Sequence, residues 1–176
     1  MQRILGVVVL VLGLVACGGK NQDAADPETA AVVHYLNVDM NAPIGMLWVG
    51  KRPLEKIEPS AFEDAAGWFE HPSGIDTIVI PRLTDFIAAA EKITPPPSEA
   101  AAHAMIIDVA KSYREVASEL AEAAIAKDKP KFLAAHEKLM ATHASYLRWQ
   151  GLFDSTLSTR KITFKDPAIP PPYPKN

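Results

Sequence analysis

The feature that most constrains this chain is an uninterrupted stretch towards its C-terminal end. Residues 98–127 hold ten alanines and neither glycine nor proline, while Ile106, Val109, Tyr113, Val116, Leu120 and Ala124 recur at spacings of three and four. Alanine is the strongest helix former, and that spacing gathers the apolar side chains on one stripe. The stretch therefore predicts an amphipathic helix about 45 Å long at 1.5 Å per residue. Lys127-Asp128-Lys129-Pro130 ends it, and a second helical pattern runs to about residue 159. Its inner side is read as Leu133, His136, Leu139 or Met140, His143, Leu147 and Trp149 or Gln150. So short a connection makes the two helices antiparallel neighbours. The expected fold is all-α: a helical bundle built on a long C-terminal antiparallel αα-hairpin.

The preceding residues are expected to pack around that hairpin. Asp26-Pro27-Glu28-Thr29 offers a capping aspartate, a proline whose fixed φ suits the first helical position, and an acid at the positive end of the dipole. The helix it opens buries Ala31, Val32, Tyr35, Leu36 and Val38 and should stop at Asn41-Ala42-Pro43, because proline disfavours helix in the residue before it. Residues 44–57 read as helical. Ser60-Ala61-Phe62-Glu63 is a capping box opening a short helix to about Glu70, ended by His71-Pro72-Ser73-Gly74. Residues 76–93 are again helical in spacing, with a break or kink at Pro81, and Pro95-Pro96-Pro97 stops them. Residues 161–176 form an extended Pro-rich tail, either a strap across the bundle with Tyr173 packed into it or a ligand for an aromatic groove.

The N-terminus reads as an address. Arg3 is followed by an unbroken apolar and glycine run from Ile4 to Ala16, too short to span a bilayer and built like a signal-peptide core. Then comes Leu14-Val15-Ala16-Cys17, which resembles the lipobox of bacterial lipoproteins. The resemblance implies cleavage after Ala16 and a diacylglyceryl group on Cys17, with further acylation of the new amino group, so that the chain is held on a membrane by more than one acyl chain. With Gly18 rather than aspartate after the cysteine, it implies the outer membrane, with the body facing the periplasm. The organisation is then signal peptide 1–16, flexible tether 17–26, helical domain 27–160 and tail 161–176.

Composition and motifs narrow the chemistry. The single cysteine excludes an intramolecular disulfide, a CxxC redox pair and a Cys-rich zinc site. Eighteen basic against twenty-one acidic residues, with no basic cluster, argue against nucleic-acid binding. Five histidines, at 34, 71, 103, 136 and 143, are the metal-ligand candidates. His136 and His143 lie about 10 Å apart along one helix, too far to share a metal ligated at about 2.1 Å. Glu99 and His103 form an i, i+4 pair better read as a helix-terminal acid and a half-buried histidine. In a hairpin turning near residues 128 and 129, His143 faces Arg114, and with Trp149, His136, Trp48 and Trp68 these residues are the candidate lining of an apolar ligand pocket. No GxSxG, HExxH or phosphate-loop pattern occurs. The expectation is a lipid-anchored envelope protein with a non-catalytic binding or structural role, no cofactor and a possible envelope partner. The alternative is a small-ligand, metal or haem carrier, with haem between His34 and a second histidine.

Overall fold

A computed structural model describes residues 26–62 and 74–170. The signal peptide and Cys17, the helix expected after Ser60, Trp68, His71 and Tyr173 lie outside the described residues. Among the described residues five α-helices pack as a bundle, accompanied by single π and 3₁₀ turns, and no strand occurs.

Helix α1 (Pro27–His34) starts where its cap lies: the Asp26 carboxylate accepts from the Thr29 backbone N–H at 3.4 Å. It widens into a π turn, Tyr35–Asp39, and the chain re-enters α geometry as α2 (Asn41–Lys51). The expected stop at Asn41-Ala42-Pro43 is thus displaced to Met40. Pro43 sits in the first turn of α2, where its absent N–H has no intrahelical acceptor to lose. Of the apolar side read for α1, Val32, Tyr35 and Leu36 are buried, whereas Val38 is exposed. Residues 44–57 are not one helix. After Lys51 the chain passes Pro53 into a 3₁₀ turn, Leu54–Lys56, and becomes extended at Ile57.

The break expected at Pro81 takes the form of a change in helix type. A π turn, Ile75–Val79, gives way to α3 (Ile80–Ala90), with the proline in its first turn. After the prolines a 3₁₀ turn, Pro97–Glu99, opens α4 (Ala100–Ile125), and α5 (Lys129–Arg160) follows. Their connection turns through Lys127, which is left-handed at φ 52°, and Asp128 caps α5 by accepting from the Lys131 N–H at 3.1 Å. Tyr113 meets His143, and Lys138 meets Glu119 at 2.7 Å, so sequence position falls on one helix as it rises on the other. α2 packs on α3 and α3 on α4, and fully buried Tyr113, Phe86, Phe132, Ile106 and Leu120 fill the centre.

The inner face of α5 keeps Leu139 and Trp149 of the face read in the sequence but turns away from its other leucines. Phe132, Ala135, Leu139, Thr142, Tyr146 and Trp149 are buried, while Leu133, Met140 and Leu147 are 38%, 45% and 52% exposed. The buried set contains an alanine and a threonine, so a reading weighted by hydrophobicity prefers the leucines beside it.

The tail to residue 170 is a strap laid along α1 and α2. Asn37 donates to the Thr163 carbonyl and accepts from the Lys165 N–H, at 3.1 and 2.7 Å. Asn41 repeats this, donating to the Lys165 carbonyl at 3.1 Å and accepting from the Ala168 N–H at 3.0 Å. Phe164 meets Phe153 edge-on at 5.0 Å between centroids, and Pro167 is buried. Gly45 lets the strap approach, since a Cβ there would lie 2.2 Å from the Ala168 carbonyl oxygen. Among the described residues no helix is long and apolar enough to cross a membrane.

Candidate functional site

The chemistry-bearing side chains gather on a seam where α5 meets α4 and the end of α2. His143 Nδ1 lies 3.1 Å from the Tyr113 hydroxyl and 3.9 Å from Glu55 Oε1. Glu55 in turn pairs with the Lys51 ammonium one helical turn before it. Lys51 is itself buried and stands 4.2 Å above the centroid of the Tyr146 ring, a cation–π contact that offsets part of its desolvation. The His143 ring stacks on the same tyrosine, 6.2 Å between centroids and 21° from parallel. Beyond it Trp149 and Phe153 continue the aromatic series at 5.7 and 5.3 Å.

Burial governs the acid–base state of the phenols. It holds the Tyr113 hydroxyl protonated well above the ordinary tyrosine range, and the Glu55 charge adds to the effect. Tyr146 is pushed up to about 12, again mainly by burial, against a hydrogen bond from the Trp48 indole that lowers it. The protonated Tyr113 hydroxyl is thus a donor available to His143 Nδ1 at 3.1 Å.

The cavity between Glu55, Tyr113, Leu139, Met140 and His143 measures about 40 Å³. That is space for water, not for an organic ligand, whose sites typically run to several hundred Å³. A second void of about 10 Å³ borders Trp149, Glu99 and Tyr35. The larger hollows, about 580 and 420 Å³, are valleys between α4 and α5. The first is lined mainly by alanine and serine with Met105 and Asp108, the second by alanines between Glu119, Glu122 and the lysines 131 and 138.

Of the four pocket candidates, the structure brings His143 and Trp149 onto the seam through Tyr146 and leaves the other two elsewhere. Arg114 does not meet His143. Tyr113 does, because the buried face of α4 presents Tyr113 to α5, while the Lys138–Glu119 pair keeps the level that the arithmetic assumes. Arg114 is half-buried, near enough to Lys111 to oppose its charge. The Nε2–H of His136 donates to the Ile57 carbonyl at 3.1 Å, clasping the segment after α2 to α5. Trp149 is buried rather than lining an open pocket, and Trp48 is 40% exposed.

The remaining histidines are placed as follows. His103 is buried with both nitrogens engaged, Nδ1 with the Tyr35 hydroxyl at 2.9 Å and Nε2 with the Ala90 carbonyl at 3.1 Å. A carbonyl only accepts, so Nε2 carries the proton and Tyr35 donates to Nδ1. His34 stands exposed 3.6 Å from Asp39. Burial raises the Tyr35 phenol well above its ordinary range, and the charge of Glu99, buried one turn before His103, adds to the effect. No group of three or more His, Cys, Asp or Glu able to hold a metal occurs among the described residues. Sequence reading missed Lys51, Glu55 and Tyr146. The first two carried a signal, an i, i+4 pair of opposite charge.

Compared with family models, with curated proteins and with solved structures, the chain finds no match in any of the three.

Proposed function

We propose that this chain is a lipid-anchored protein of the bacterial cell envelope, attached through Cys17 to the outer membrane and facing the periplasm, with a non-catalytic binding or structural role. The anchoring half rests on the residues before the domain: Arg3, the apolar run and Leu14-Val15-Ala16-Cys17 in lipobox order. The binding half rests on one geometric observation. His103, His136 and His143 engage the bundle's own Tyr35, Ala90, Ile57 and Tyr113, joining separate segments to the hairpin. Groups committed in this way work as clasps, and a rigid bundle with such clasps presents its surface to partners. Haem or metal carriage would require one or more of these nitrogens to leave its present partner.

The test uses natively expressed protein in its own membrane. Cys17→Ala is expected to abolish acylation, read by mass spectrometry, and to release the chain from the membrane fraction. Crosslinking of the wild type is expected to trap an envelope protein, this chain included. An unlipidated wild-type chain would overturn the anchoring reading. An absorbing cofactor or stoichiometric metal in the same preparation would overturn the binding one.

A further inference from the structure

The turned face of α5 leaves an apolar stripe on the side opposite the core. Leu133, Met140, Ala144, Leu147 and Gly151 follow one another at spacings of seven, four, three and four, all exposed, over about 27 Å of helix. Gly151 is the informative member. A glycine inside a helix costs about 1 kcal/mol relative to alanine. At Gly45 and Gly50 a neighbour explains it, the Ala168 carbonyl at 2.2 Å and the Arg82 Cβ at 3.2 Å, whereas a Cβ at Gly151 would meet nothing within 4 Å. No neighbour in the described chain accounts for Gly151.

We infer that a second copy of this chain packs on the stripe, α5 against α5, antiparallel about a two-fold axis level with Thr142. In that register two of the three large side chains meet a small one: Leu133 lies opposite the partner's Gly151, and Met140 opposite the partner's Ala144. The charges agree with it. Glu137 and Arg148 flank the stripe on the same side, both are exposed, and neither has an ion-pair partner among the described residues. The two-fold axis brings Glu137 to within one residue of the level of the partner's Arg148, twice by symmetry. The inference names the partner left open by the proposed binding role and rests on that reading, since anchored copies in one leaflet meet at raised effective concentration.

The test is oxidative crosslinking of the full chain in its native membrane. The double variant Leu133→Cys with Gly151→Cys is expected to give a disulfide-linked dimer. The two positions lie too far apart on one helix to bridge within a chain, because bonded sulfurs need Cβ atoms about 4 Å apart. Leu133→Cys alone and the wild type are expected to form no disulfide-linked dimer. Adding Glu137→Arg to the double variant is expected to lower the crosslinked fraction about tenfold, and adding Arg148→Glu as well to restore it. Helical circular dichroism of each variant checks that it is folded. A folded double variant that does not crosslink overturns the inference, as does a Leu133→Cys chain that crosslinks alone or a charge swap that fails to restore the dimer. Capture of a different envelope protein without self-crosslinking overturns the dimer while supporting the binding role. Loss of acylation is read separately, by mass spectrometry.

Discussion

Replacing His103 with leucine removes the clasp that joins α1, the end of α3 and α4, and its cost follows from two orphaned groups. The Tyr35 hydroxyl loses its acceptor at 2.9 Å and the Ala90 carbonyl its donor at 3.1 Å, both in a buried setting. A buried polar group left without a partner costs about 1–3 kcal/mol, so His103→Leu is expected to destabilise the domain by roughly 2–5 kcal/mol in urea denaturation near pH 7.5. Adding Tyr35→Phe removes one of the two orphans. The double variant is then expected to be more stable than His103→Leu alone, by about 1–3 kcal/mol. A double variant whose losses simply add would refute the hydrogen-bond assignment.

The same residue sets a pH dependence. Burial holds the His103 imidazole below its ordinary pKa of 6.5, against a weaker upward pull from the Ala90 carbonyl. The native state thus binds fewer protons than the unfolded chain in the window between the lowered native pKa and 6.5. Stability from this group is fully present above 6.5 and is lost as pH falls through that window. Wild type should therefore lose stability on acidification more steeply than His103→Leu. The other histidines are common to both chains, and parallel slopes would sink the claim.

Three further outcomes are expected. Gly45→Ala places a methyl group into the Ala168 carbonyl, so the strap should detach and residues 161–170 should become susceptible to limited proteolysis while α4 and α5 stay protected. Phe132→Ala empties a fully buried position on α5 and should cost about 3–5 kcal/mol by denaturation. Lys127→Gly relieves a left-handed residue in the hairpin connection and should raise stability by about 1 kcal/mol, seen as a higher midpoint at unchanged slope.

Those expectations draw on features of unequal legibility in the sequence. The hairpin was readable because residues 98–127 combine helix-forming composition with an unbroken period, and because Asp128 and Pro130 mark the next start. The Asp26 cap was readable for the same local reason. The π turns at Tyr35–Asp39 and Ile75–Val79 were not, because they follow from how neighbouring helices accommodate one another and carry no residue signature. The candidate site was legible in part. His143 and Trp149 share a seam, but its other members, Lys51, Glu55 and Tyr146, come together only through tertiary packing. His143 meets Tyr113 instead of Arg114 because level arithmetic fixes the height along a hairpin but not the face, and Tyr113 lies on the buried face of α4 where Arg114 is only half-buried.

The strap shows how little a side chain must say to organise a distant segment. Asn37, Asn41 and Gly45 recur every fourth residue on one line, about 6 Å apart at helical rise. An extended chain advances about 3.3 Å per residue, so each turn of the ladder spans about two strap residues. The bonds run in that order, Asn37 with Thr163 and Lys165, then Asn41 with Lys165 and Ala168, then Gly45 against Ala168. Every hydrogen bond in the ladder goes to strap backbone, so the match is one of spacing, and the prolines that stop residues 161–170 from becoming helix preserve it. A reading of each segment alone sees two asparagines and a proline-rich tail. Their commensurate repeat makes them a unit.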